Sequence, residues 1–188
     1  NAVDSQDQVA RFRQFLASLG TGRSPSLWLE HVLLPHVPYQ RLPDGRTYNA
    51  RYVPGFLSPR PELLDLAHVD AERFVLQTEF VDQLMNDFLD RLHQTKLFKN
   101  ALVVVTADHG VAFVPGQDTR STDDQHSRDQ LLPVPLFVKY PGQTTGKVDA
   151  RDARTIDVLP TVADALGVKL PPSWHFDGRS LLSHDQSR

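Results

Sequence analysis

The chain has 188 residues, 40% of them hydrophobic and 23% charged, with a formal net charge of −3. That is the size and composition of one globular domain with a single core. The balance excludes the electrostatic footprint of a nucleic-acid binder, no apolar stretch approaches the length of a membrane span, and the absence of cysteine excludes disulfides and thiolate metal sites while leaving the compartment open. Asn1-Ala2 reads as the remnant of a cleaved tag and no initiator Met precedes it, so residues 3–188 are expected to be an excised part of a longer protein.

The first predicted element is a helix capped by Asp4 or Ser5, in which Val9, Phe12, Phe15 or Leu16, and Leu19 recur at helical spacing until Gly20 ends it. Ser26 to Leu34 reads as a strand, apolar on one side at Trp28, Val32 and Leu34 and mixed on the other at Leu27, Leu29, His31 and Leu33. Pro35 stops it and His36 follows at once. Six prolines between Pro35 and Pro61 mark a long irregular segment. Its Tyr39, Arg41, Arg46 and Tyr48 fit a substrate-facing loop or a plain surface excursion. A long helix is predicted from Leu66 to Leu97, its buried stripe running through Leu76, Phe80 or Val81, Leu84, Phe88 and Leu92, widened by Met85 and Leu89.

After a turn at Lys99-Asn100, Leu102 to Val105 is apolar and β-branched without alternation, which predicts a strand buried on both faces of a parallel sheet. Helix followed by strand is half of a βαβ unit, so the expected fold class is α/β, a mostly parallel sheet flanked by helices. Asp108 and His109 leave that strand at its carboxyl end, where open α/β sheets bind ligands. Inside a strand they would point to opposite faces; Gly110 signals a turn that lets both aim at one point. A carboxylate and an imidazole together suit zinc or manganese, although the tripeptide alone equally fits an ordinary turn. Beyond it, Pro115 to Gln130 reads as a polar loop carrying His126, and Pro135 to Tyr140 as a short strand. Asp157 then caps a short helix that Gly167 closes, and the tail from Leu170 is loop-like, with frayed polar residues at its end.

Thr106-Ala-Asp-His-Gly110 after a buried strand resembles the Thr-Ser/Ala-Asp-His-Gly motif of the sulfatase and alkaline-phosphatase-like superfamily. Further matches follow in order. The helix from Gln77 to Leu97, Pro133-Val-Pro-Leu-Phe-Val-Lys-Tyr-Pro141, Thr155-Ile-Asp-Val-Leu-Pro-Thr161, Leu166-Gly167 and Asp177-Gly-Arg-Ser-Leu181 resemble successive family segments. The likeness runs from about Trp28 to Leu182. It implies a partial alkaline-phosphatase-like fold in which Asp108 and His109 bind a divalent metal: zinc, manganese, calcium or magnesium. It further implies that His36, in Pro35-His-Val-Pro-Tyr39, and His126 hold a second metal or the substrate's anionic group. His126, taken alone, equally fits a solvated loop histidine.

The implied activity is metal-dependent hydrolysis or transfer of sulfate or phosphate esters, with an anionic ester as substrate. The implied location is extracytoplasmic, through a membrane anchor in an amino-terminal region. The family's nucleophile is not found: Ser58-Pro-Arg60 lacks the spacing of a Cys/Ser-x-Pro-x-Arg signature, and Ser24-Pro-Ser26 lacks its arginine. The nucleophile and further acidic ligands are therefore expected upstream of Val3, in the other half of the same protein, and this chain alone is expected to be nearly inactive. The competing expectation is a non-catalytic binding or scaffold domain that keeps the fold. A Gly-x-Ser-x-Gly elbow, a phosphate-binding Gly-x-x-x-x-Gly-Lys loop and a His-Glu-x-x-His helix are all absent.

Overall fold

Apolar residues recurring at helical spacing near the start of the chain form α1, Ser5–Ser18, which buries Val9 and Phe12. The computed structural model describes residues 5–20, 22, 26–49, 65–171 and 173–183. The expected Asp4 cap, Pro54 to Pro61 and the polar end of the tail lie outside the described residues. The chain divides into two units, Asn1–Phe98 with Val111–Leu132, and Lys99–Gly110 with Pro133–Arg188.

In the first unit, α2 (Asp65–Gln94) lays Phe80 and Leu84 against Val9, Phe12 and Leu34, with Phe15, Val32, Val81, Met85 and Phe88 packed around them. The stripe read from the sequence is therefore largely the core, with two departures: Leu76 is half-buried while Gln77 beside it is fully buried, and Leu89, expected to widen the stripe, is 42% exposed. Arg91, near the end of α2, donates from Nε to Leu16 O (2.9 Å) and from Nη2 to Leu19 O (2.9 Å). A cation thus satisfies the carbonyls that the end of α1 leaves over. The helix α2 closes three residues short of the expected Leu97: Lys96 adopts φ 60°, and Leu97 N–H reaches back to Leu92 O (2.9 Å), a left-handed closure that overrides the apolar pattern.

Ser26 to Leu34 is not a strand. It alternates as expected, with Leu34 buried and Val32 against the core while Leu27 and Leu29 are 84% and 85% exposed. Alternation alone does not make a strand, however, and this segment has no ladder partner among the described residues. One of its amides, Leu33 N–H, is taken instead by Gln8 Oε1 at 3.2 Å. Downstream, Gln40 to Tyr48 forms a tight hairpin in which Leu42 N–H donates to Arg46 O and Tyr48 N–H to Gln40 O. The Pro43-Asp44-Gly45 triplet is its turn signal, and Gly45 at φ 83° meets the Phe80 ring so closely that a Cβ would lie 2.8 Å from it.

In the second unit, β1 (Val103–Thr106) pairs with β2 (Leu136–Lys139) in the register Val103↔Lys139 to Thr106↔Leu136. The pair is antiparallel, and it is the whole sheet among the described residues, so the mostly parallel sheet expected from the apolar run is corrected. The run identified a strand but carried nothing about its partner's direction. β1 is also only half-buried, where burial on both faces was expected, and in β2 Phe137 is 67% exposed. The Tyr140-Pro-Gly-Gln143 turn beyond β2 is closed by Gln143 N–H to Tyr140 O, with Gly142 at φ 73°.

A 3-10 turn, Thr155–Asp157, leads into α4, Val158–Ala165. Asp157 caps that turn and not α4: its buried carboxylate accepts Arg154 N–H on Oδ2 (2.8 Å) and, from the tail, Arg179 N–H on Oδ1 (2.8 Å). Buried Thr161 donates to Asp157 O (2.6 Å) and accepts Leu181 N–H (2.9 Å), while Ser180 Oγ donates to Asp164 Oδ2 (2.6 Å). Among the described residues the tail has no helix or strand, yet this side-chain network fastens it onto α4.

Candidate functional site

Asp108 and His109 follow β1 directly, the strand having ended at Thr106. Asp108 Oδ1 accepts the His109 backbone N–H at 2.9 Å, which bends the chain out of the strand. His109 Nδ1 is 2.7 Å from Gly110 O. A carbonyl only accepts, so Nδ1 carries the ring proton, and in the neutral ring Nε2 carries the lone pair. That Nε2 lies 3.6 Å from Asp108 Oδ2. An electron-rich oxygen and an electron-rich nitrogen facing each other at this distance attract a cation or a proton between them.

The donor set fits a metal. Two donors each about 2.0–2.5 Å from one cation stand about 3–4 Å apart, and anchoring of Nδ1–H on a backbone carbonyl is the usual support of an imidazole ligand. The pair supplies two of the three or four protein ligands a zinc site takes; among the described residues no three His, Asp or Glu side chains gather into one metal-sized group.

His36 belongs to the other unit, in a turn closed by His36 N–H to Leu33 O (2.7 Å) between the cis peptides Leu34–Pro35 and Val37–Pro38. Its Nδ1 is 2.8 Å from Val37 O, so this exposed ring also turns an Nε2 lone pair outward. The residue that holds this turn was missed by sequence reasoning. Gln77, fully buried on α2, donates from Nε2 to Pro35 O (3.0 Å) and His36 O (2.9 Å) and accepts Gln40 N–H (3.2 Å) on Oε1. A polar residue inside an apolar stripe was the available signal.

His126 lies on a helix and not on a loop: α3, Gln125–Leu131, is too polar to show an apolar period. Its start is written in Asp124, whose side chain accepts Ser127 N–H at 3.0 Å, while the buried Ser127 hydroxyl lies 2.9 Å from Asp124 Oδ2. The Ser127 backbone N–H, then the Gln117 and Ser127 side chains, hold the Asp124 carboxyl down to about 2. A carboxylate depressed on folding stabilises above its ordinary pKa near 3.8 and loses that contribution as pH falls toward about 2. The protection of the Ser127 and Arg128 amides, taken relative to the unstructured-chain exchange rate at each pH, is accordingly expected to hold down to about pH 4 and to fall several-fold as pH approaches about 2, and Asp124→Ala should show the lower protection at neutral pH. Protection that does not change from about pH 5 to about pH 2 would refute the cap.

The Sulfatase family model matches residues 2–168, nearly the whole chain. The chain is similar to an ulvan-active sulfatase of Formosa agariphila, 25% identical over 154 residues, covering 79% of this chain and 30% of that protein. The lipoteichoic acid synthase-like protein YvgJ of Bacillus subtilis is 29% identical over 126 residues, covering 61% of this chain and 20% of its own. The structure of BT1596, a 2-O GAG sulfatase, superposes with a TM-score of 0.52 at 20% identity, over 94% of this chain and 43% of that one. The class these define is that of sulfatase-like hydrolases and transferases, on the sulfatase fold. This chain belongs to the sulfatase family, and spans less than half the length of each of these three relatives.

Proposed function

We propose that the chain is the carboxyl-terminal part of a metal-dependent catalytic domain acting on sulfate or phosphate esters. The observation that carries this is the facing pair, Asp108 Oδ2 and His109 Nε2, 3.6 Å apart with the imidazole anchored through Nδ1. Asp108 and His109 hold the cation, and the exposed Nε2 of His36 takes a second cation or a proton. A divalent ion so held would neutralise charge on the transferring group and lower the pKa of a bound hydroxyl. On this reading the nucleophile and remaining ligands lie elsewhere in a longer protein, in keeping with the 20–43% of its relatives' lengths that the chain spans. The whole protein then works on an anionic ester outside the cytoplasm. Hydrolysis is favoured by likeness to the ulvan-active sulfatase and transfer by likeness to the lipoteichoic acid synthase-like protein.

Manganese(II) titration of the chain, followed by imidazole NMR, tests the pair. Selective broadening of His109 is expected at millimolar metal, weakened about tenfold or more by Asp108→Ala. No broadening of His109, or no effect of Asp108→Ala, would remove the metal assignment. If a longer protein with the preceding segment binds metal yet hydrolyses neither aryl sulfates nor aryl phosphates, a non-catalytic member of the family is the better description.

A further inference from the structure

Gln130 stands one helical turn beyond His126, and its two amide atoms are differently engaged. Phe113 N–H donates to Gln130 Oε1 at 3.0 Å, which orients the amide. Gln130 Nε2 is then the atom 3.1 Å from His126 Nε2. An amide nitrogen only donates, so His126 Nε2 must accept, and the neutral ring carries its proton on Nδ1. The consequence is the reverse of that at His36 and His109. Those rings spend their N–H on a neighbouring carbonyl and keep a lone pair at Nε2, whereas His126 has its Nε2 lone pair engaged within α3 and is left with an N–H on an exposed ring.

We propose that Gln130 is a positioning residue that locks His126 into its Nδ1–H tautomer, assigning His126 to the oxyanion of a sulfate or phosphate group and withdrawing it from metal binding. The assignment to an ester anion rests on the proposed function above; the tautomer lock does not. Metal-type and anion-type histidines are thereby told apart by what caps each ring, a distinction their sequence contexts do not carry. Gln130 has no direct part in chemistry. It acts through the ring, and Phe113, by fixing the amide, acts through Gln130.

The test uses long-range nitrogen–proton spectra of the histidine rings in the metal-free chain at about pH 8.5. His126 is expected as the Nδ1–H tautomer. Gln130→Glu replaces the donor with an acceptor while keeping an oxygen for Phe113 N–H, and is expected to convert His126 to the Nε2–H tautomer. Gln130→Met removes the donor, and is expected to leave a mixture of the two. The Phe113 amide resonance reports whether the glutamate variant keeps the fold. Inorganic phosphate, and separately sulfate, should shift the His126 ring in the parent chain at millimolar concentration and fail to do so in Gln130→Glu. Manganese(II) should broaden His126 in Gln130→Glu far more than in the parent. An Nε2–H ring in the parent, an unchanged tautomer in both variants, or manganese broadening of parent His126 equal to that of His109 would each overturn the lock. A correct tautomer without any response to phosphate or sulfate would overturn the anion assignment. Failure of the metal reading is seen separately, as a His109 that ignores manganese while the His126 tautomer remains as stated.

Discussion

Gln77→Leu is expected to destabilise the chain by about 2–4 kcal/mol and to loosen the turn that carries His36. The substitution keeps a side chain of similar volume and helix propensity on α2, so packing alone predicts little change. What it removes is three hydrogen bonds from a side chain with no exposed surface: two donated to Pro35 O and His36 O, and one accepted from Gln40 N–H. Taking away one partner leaves the others to bear the desolvation of buried polar groups, about 1–3 kcal/mol each before relaxation. Urea unfolding reads the total. Amide exchange at Gln40, quickened well beyond that of the α1–α2 core, reads the local release. A loss below about 0.5 kcal/mol with unchanged exchange would mean that the His36 turn is held by something else.

Gly178→Ala is expected to detach the tail from α4, at a cost of about 2–4 kcal/mol. A Cβ built on Gly178 would lie 2.0 Å from Ile156 O and 2.4 Å from its carbonyl carbon, and these are backbone atoms with no rotamer to yield. The tail just beyond Gly178 is tied by Arg179 N–H to Asp157 and Leu181 N–H to Thr161, so displacement at 178 pulls on both. Asp157→Asn, which keeps the shape but leaves one carboxylate position unable to accept, is expected to show the same loss in weaker form. Exchange at Arg179 and Leu181 and the thermal midpoint measure both variants. An alanine variant with parental values would show that the close approach is not maintained in solution.

The sequence announced position better than partnership. The apolar recurrence from Phe80 to Leu92 located α2 and its inward face because burial on a helix repeats every three or four residues. The same pattern concealed Gln77, whose polarity looks like an interruption until its three backbone partners are known. Leu102 to Val105 located β1 to within a residue, yet an unbroken apolar run says only that a strand is buried, not which way its neighbour runs. Ser26 to Leu34 alternated faithfully and still has no ladder partner among the described residues, because pairing needs a second segment that local pattern cannot name. α3 escaped notice since its residues have no apolar face; Asp124 three places before Ser127 was the legible mark. At the candidate site, Asp108 and His109 were readable as adjacent donors after a strand, whereas the ring tautomers of His36, His109 and His126 depend on single contacts that no motif records.

A ribbon of two four-residue strands is a soft mounting. Hairpin-sized sheets are marginal in water, and among the described residues β1 pairs along one edge only, with β2. Asp108 and His109 follow the end of that ribbon, so a change in its geometry is expected to alter the 3.6 Å between Asp108 Oδ2 and His109 Nε2. On the metal reading proposed above, a further strand laid along β1 is then expected to sharpen cation affinity without touching a ligand, making sheet growth itself a control on the chemistry.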